Sequence, residues 1–107
     1  MNPFCLLARQ SIEHYVKTGQ ILDCPDNLPQ YLSKKAGVFV SIHKKNGELR
    51  GCIGTFLPVQ KNLALEIIEN AISACANDPR FPPIQKSELK DLEISVDILS
   101  SQFKSKI

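Results

Sequence analysis

At 107 residues, with 43% apolar content and a formal net charge of +2, the chain has the size and composition of one globular domain, burying roughly 60–70% of the surface its unfolded form exposes. Thirteen basic against eleven acidic residues is too even a balance for a nucleic-acid-binding face, which needs a clustered basic excess. No stretch reaches the ~18 apolar residues of a membrane span, and no basic-then-apolar leader opens the sequence, so the expectation is a cytoplasmic protein.

In chain order, Asn2-Pro3 reads as a helix start, a capping side chain followed by proline at the first helical position. Cys5, Ala8, Ile12, Tyr15 and Val16 recur at helical spacing, and Gly19 is a suitable terminator. Residues 20–35, with Pro25 and Pro29, read as an irregular connection holding one short turn at Leu28–Lys34. Gly37–Lys45 and Gly47–Phe56 then flank Asn46-Gly47, the dipeptide of a two-residue hairpin turn. That turn sets a register in which Lys45 faces Glu48, His43 faces Arg50, Ser41 faces Cys52 and Phe39 faces Gly54. Directly opposed residues share a face of the sheet. Val38, Val40, Ile42, Leu49 and Ile53 form the core face, and Phe39, Ser41, His43, Arg50 and Cys52 the other.

Asn62 opens a second helix whose apolar stripe runs from Leu63 to Cys75 and which Asn77-Asp78-Pro79 ends. Asp78-Pro79-Arg80-Phe81-Pro82-Pro83 is a stiff extended loop, since three prolines fix φ and bar a helix. Ser87–Asp91 is long enough for one helical turn. Leu92–Leu99 alternates apolar and polar as a half-buried strand does. Helix, hairpin, helix, strand makes an α+β fold, an antiparallel hairpin-based sheet packed against two main helices.

Leu49-Arg50-Gly51-Cys52-Ile53-Gly54-Thr55 holds most of the chemistry. Two glycines are poor strand material, so something gains from the clearance they leave at Gly51 and Gly54: close packing of backbone, or a ligand or partner. Cys52 is a candidate nucleophile with His43 diagonally across as base, Ser41 opposite, and Arg50 sharing the face as a stabiliser of negative charge. The plainer reading of a free cysteine is a small packed hydrophobe. Arg50 and Arg80 are candidates for an anion clamp, or else each pairs with a nearby carboxylate, Asp78 being the obvious one for Arg80. His14 reads as a surface residue. Glu69 reads as part of a solvated helix face, with a bond across to the hairpin as the alternative. The four cysteines are widely spaced and lack a CxxC pair, a pattern of free thiols in which Cys5 and Cys75 are packed and Cys24, in a loop, is the exposed one. No pattern calls for a metal or a cofactor.

The strings Gly37-Val38-Phe39-Val40, Leu49–Thr55, Ile68-Glu69-Asn70-Ala71, Asp78–Pro83 and Leu92-Glu93-Ile94-Ser95-Val96, in this order, resemble the AMMECR-type domain family, called AmmeMemoRadiSam system protein A in bacteria and archaea. The resemblance spans Phe4 to Ser100. It implies the larger subdomain of an α+β fold, over residues 1–100. It also implies a link to Memo-like proteins and radical-SAM enzymes as partners, with no settled activity of the domain itself. Where such relatives run on past Leu99-Ser100, this sequence ends after Gln102-Phe103-Lys104-Ser105-Lys106-Ile107. The resemblance therefore implies that the C-terminal portion is missing, that 101–107 is a frayed tail, and that an uncovered sheet edge would favour a homo-oligomer. Three functions follow: a non-catalytic partner or substrate-binding component using Ser41, Arg50, Gly51, Gly54 and Arg80; a cysteine-dependent enzyme built on Cys52 and His43; and an RNA or nucleotide binder using the lysine pairs and the two arginines.

Overall fold

Asn2 turns its side-chain oxygen onto the Cys5 N–H at 2.8 Å, and Pro3 follows where a missing N–H loses no helical bond. Helix α1 runs Pro3–Thr18 and ends on Gly19, at a φ of 76° that suits glycine. The structure, a computed structural model, describes residues 2–99; the tail read at 101–107 lies outside them. A single turn, α2 (Gln30–Ser33), interrupts the connection to β1 (Gly37–Lys44) and β2 (Leu49–Thr55). Helix α3 (Leu63–Ala76) is capped by the Asn62 side chain on the Leu65 N–H. A 3-10 helix (Lys86–Asp91) then leads directly into β3 (Leu92–Leu99).

The three strands are antiparallel in the order β2-β1-β3, so β1 lies in the middle. Both long helices pack on one side of the sheet. Val38, Val40 and Ile42 of β1 are fully buried there against Ala8 and Ile12 of α1 and Leu63, Ile67 and Ala71 of α3. Each such valine or isoleucine contributes roughly 1.5–3 kcal/mol by leaving water. The α+β architecture is the one the residue pattern predicts.

The hairpin departs from its predicted register in a way that relocates Arg50. The loop is closed by Gly47 N–H to Lys44 O and Lys44 N–H to Glu48 O, both 2.8 Å. Among the described residues only glycines have positive φ, Gly47 at 97°, so Asn46 is not left-handed. This is a three-residue loop ending on a left-handed glycine, not a two-residue turn, and Asn46 instead accepts the Glu48 N–H with its side chain. The extra loop residue sets His43 opposite Leu49 rather than Arg50. A bulge at Arg50 takes up the slip, so that Ile42 meets Gly51, Ser41 meets Cys52 and Phe39 meets Gly54. Two corrections follow: Leu49 leaves the core face and is 38% exposed, and Arg50 leaves the outer face and is 7% exposed. On α1, Leu7 and Ser11 are buried beside Ala8 and Ile12, whereas Cys5 is only half-buried.

Gly51 lies so close to α3 that a Cβ there would strike the Ala74 carbonyl oxygen, an atom fixed in the helix. Gly51→Ala is expected to destabilise the protein by about 1–3 kcal/mol through overpacking. Gly47→Ala has open space but a left-handed φ, and is expected to cost about 1–2 kcal/mol from backbone strain alone. Equilibrium urea unfolding of both variants checks the pair.

Candidate functional site

The polar residues of β2 meet the proline-rich loop at one corner of the sheet, organised by two carboxylates. Pro79 bars continuation of α3, and the chain turns so that Asp78, 4% exposed, points at β2. Its Oδ2 accepts the Cys52 N–H at 3.0 Å and Arg80 Nη2 at 2.8 Å. Its Oδ1 accepts the Arg80 backbone N–H and Nε, both at 3.0 Å. Arg80 Nη2 also donates to the Cys52 carbonyl at 3.1 Å. Asp78 and Arg80 together thus bind both outward backbone groups of Cys52, as a neighbouring strand would. The Arg80 guanidinium lies 5.4 Å from the Phe81 ring centroid, and its side chain is 55% exposed.

The bulge turns Arg50 under the sheet toward the 3-10 helix. There Nε and Nη2 form a bidentate pair with Glu88 at 2.8 and 3.1 Å, and Nη2 reaches the Pro83 carbonyl at 3.4 Å. Glu88 also accepts the Gln85 N–H, closing a capping box on the 3-10 helix. The two predicted anion-binding arginines are both partnered by carboxylates, in separate pairs. Beside the Arg50–Glu88 pair a shallow groove of about 430 Å³ runs past Leu49, Arg50, Phe81, Pro82 and Pro83.

Cys52 is half-buried, and its thiol lies 3.3 Å from Ser41 Oγ, the pairing predicted. His43 shares the outer face but sits opposite Leu49 in β2 and Glu93 in β3, with no hydrogen bond to Cys52. The glycine clearances are filled by the chain itself: α3 backbone at Gly51, the Phe39 ring and the Val38 carbonyl at Gly54. Cys24 packs half-buried against the core rather than standing free. Cys75 is buried as predicted, and burial pushes its thiol up to about 11. Lys34 and Lys35 precede β1 while Lys44 is its last residue and Lys45 follows it, so the pairs occupy opposite ends of the strand and form no continuous basic face. No cluster of three or more metal-ligating side chains occurs among the described residues, and none of their helices is long and apolar enough to cross a membrane.

Sequence reasoning missed Glu66. It is 1% exposed on α3 and accepts Thr55 Oγ1 at 2.8 Å and the Val59 and Gln60 N–H groups at 2.9 Å. Asn70 adds a bond to Thr55. The signal was present, a carboxylate on an apolar stripe between Leu63 and Ile67. Glu66 and not Glu69 bridges to the hairpin; Glu69 is exposed. This clamp holds a loop on which Phe56, Leu57 and Val59 stand 52–73% exposed.

The AMMECR1 family model matches residues 5–106. A protein of Thermotoga maritima is 50% identical over 100 residues, covering 92% of this chain and 58% of the relative. One from Methanothermobacter thermautotrophicus is 46% identical over 94 residues, covering 88% and 48%. The crystal structure of an uncharacterized protein from Pyrococcus horikoshii superposes with a TM-score of 0.84 at 39% identity, covering 91% of this chain and 49% of that one. The chain spans about half the length of these proteins.

Hydrogen bonds from Arg80 hold the Asp78 carboxyl well below the usual carboxylate range, and those from Arg50 lower Glu88. A carboxyl depressed in the folded state adds stability that is complete above its unfolded value of about 4 and is lost as pH falls through the folded value. Unfolding free energy is expected to drop as the protein is acidified below about pH 4. Asp78→Asn and Glu88→Gln should each be less stable at neutral pH and show a flatter acid limb in urea titrations.

Proposed function

The chain belongs to the AMMECR1 family, and from that premise we propose that it is a non-catalytic, partner- or substrate-binding component of a pathway associated with Memo-like proteins and radical-SAM enzymes. One observation carries the non-catalytic reading. The only side-chain hydrogen-bond partner of the Cys52 thiol among the described residues is a neutral hydroxyl, that of Ser41. An activated thiol needs a base in hydrogen-bond reach, and His43 is not so placed. The charged groups nearby are committed to structure: Asp78 and Arg80 to the Cys52 backbone, Arg50 and Glu88 to each other.

The surface left for binding is the exposed side of that corner. Arg80 uses Nε and Nη2 internally and keeps Nη1 without a hydrogen bond among the described residues. Phe81 beside it is half-buried, and the groove toward Leu49 continues the surface. A guanidinium edge next to an aromatic ring suits a carboxylate or an amide-bearing segment of a partner. Arg50, buried in its ion pair, is a structural residue in this reading. The pathway link itself rests on the family resemblance.

Co-expression with Memo-like and radical-SAM proteins of the same genome tests the proposal. Cys52→Ser is expected to keep co-purification and pathway output. Arg80→Lys and Phe81→Ala should weaken association about tenfold or more, each with a cooperative unfolding transition retained. A Cys52→Ser protein that folds and binds normally but abolishes pathway output would establish the cysteine enzyme instead.

A further inference from the structure

Arg9, Glu13 and Lys17 recur at every fourth residue and so share one stripe of α1. The 3-10 helix lies against that stripe. Arg9 fastens it there, donating Nη2 to the Leu89 carbonyl at 2.8 Å and Nη1 to the Leu92 carbonyl at 3.1 Å. Its Nε donates to Glu13 at 3.0 Å, so every guanidinium nitrogen has an acceptor within the chain. A groove of about 420 Å³ runs between the two helices. Lys17 lines it from α1, and Lys86, Ser87 and Lys90 line it from the 3-10 helix.

The lining is almost entirely of one sign. It holds four cations and one carboxylate, Glu13, which Arg9 already pairs. That positive excess of three is larger than the excess of two carried by the whole chain. Lys17, Lys86 and Lys90 are exposed and form no ion pair among the described residues. An ordinary solvated surface intersperses charges of both signs. A concave lining of one sign instead focuses its field on an incoming counter-ion. The exposed Ser87 hydroxyl adds a neutral donor among the lysines.

We propose that this groove binds a short chain of phosphoryl groups, a di- or triphosphate, whether free or carried by a nucleotide. Lysines are point charges on flexible stems, suited to phosphate oxygens spread along a chain. The one guanidinium fork, on Arg9, is already filled, which leaves nothing to grip a planar carboxylate by two parallel bonds. Two further features bound the ligand. Past Ser87 and Lys90 the adjoining surface turns mixed, with Lys44 and Lys45 beside Glu88 and Asp91. A long polyanion such as RNA meets carboxylates there, whereas a short chain does not. No aromatic ring of the described residues lines the groove, so a nucleotide base has nothing to stack on. Arg80 and Phe81 do not line it either, and the inference is independent of the partner reading of that corner.

Calorimetric titration of the full chain with sodium tripolyphosphate, at low ionic strength and without divalent cations, is the test. One saturable site is expected, weakening as salt is raised, with the largest amide NMR shifts at Lys17, Ser87 and Lys90. The double variant Lys86→Gln/Lys90→Gln should bind about tenfold more weakly or worse, as expected for lost charge-assisted contacts. Lys34→Gln/Lys35→Gln removes the same charge elsewhere and should leave affinity within about twofold. Both proteins should keep the parent urea transition, since all four side chains are exposed. Orthophosphate should bind more weakly, and ATP about as tightly as tripolyphosphate. A preference for ATP of about tenfold would make a nucleotide the source of the chain and keep the site. Absence of saturable binding, an equal loss in the Lys34/Lys35 variant, shifts centred on Arg80, or tighter binding of single-stranded RNA than of tripolyphosphate would each overturn the proposal.

Discussion

A single carboxylate organises the functional corner of this protein. Asp78 accepts four hydrogen bonds, three from Arg80 and one from the Cys52 backbone. A buried ion is expensive to desolvate and is tolerated only when its lone pairs are filled; Asp78 meets that condition with one arginine and one strand residue. Through it the end of α3, the proline-rich loop and the centre of β2 become one rigid piece. The same contact turns the Cys52 backbone outward, and from that the alternation of the whole ladder follows. Ser41 can meet the Cys52 thiol closely because the pair is the non-hydrogen-bonded kind, where facing side chains approach most nearly.

Three acids divide this work. Asp78 closes the edge of β2, Glu88 receives Arg50 beneath the bulge, and Glu66 gathers the loop that leaves β2. Each bonds to backbone N–H groups as well as to a side chain. This explains how a thin sheet of three strands holds irregular connections without leaving polar atoms stranded: no buried side-chain nitrogen or oxygen among the described residues lacks a partner. It also explains why the conspicuous arginines of the sequence are poor candidates for a free anion clamp.

Much of the fold was legible because it is written in local chemistry. Asn2-Pro3, Gly19 and Asn62 act at helix ends through bonds to near neighbours, and the alternation of Leu92–Leu99 survives whatever lies around it. The hairpin was harder. Asn46-Gly47 suggests a two-residue turn, yet Asn46 spends its side chain on Glu48 and leaves Gly47 alone in the left-handed region. The resulting one-residue slip is cancelled by the bulge at Arg50, so the pairing at Cys52 was read correctly while that at Arg50 and Leu49 was not. A bulge is selected by what its extra residue reaches, here Glu88 in a segment 38 residues away, and no local pattern encodes that. The glycines were ambiguous for the same reason: whether the space beside Gly51 and Gly54 stays open depends on α3 and Phe39, which only the folded chain brings there.

The strand order has a consequence for how the molecule comes into being. The middle strand is the first of the three to be synthesised and the last to be completely flanked, because one of its neighbours is β3, the final described element. β1 and β2 can join early through a short loop, and α3 can settle on them. Arg9 on α1, however, waits for carbonyls at Leu89 and Leu92. A nascent chain emerging from the ribosome would therefore expose one side of β1 until β3 has been made. The closing step joins Arg9 to carbonyls 80 and 83 residues further along the chain, the slow, high-contact-order kind of event during which chaperones find their clients.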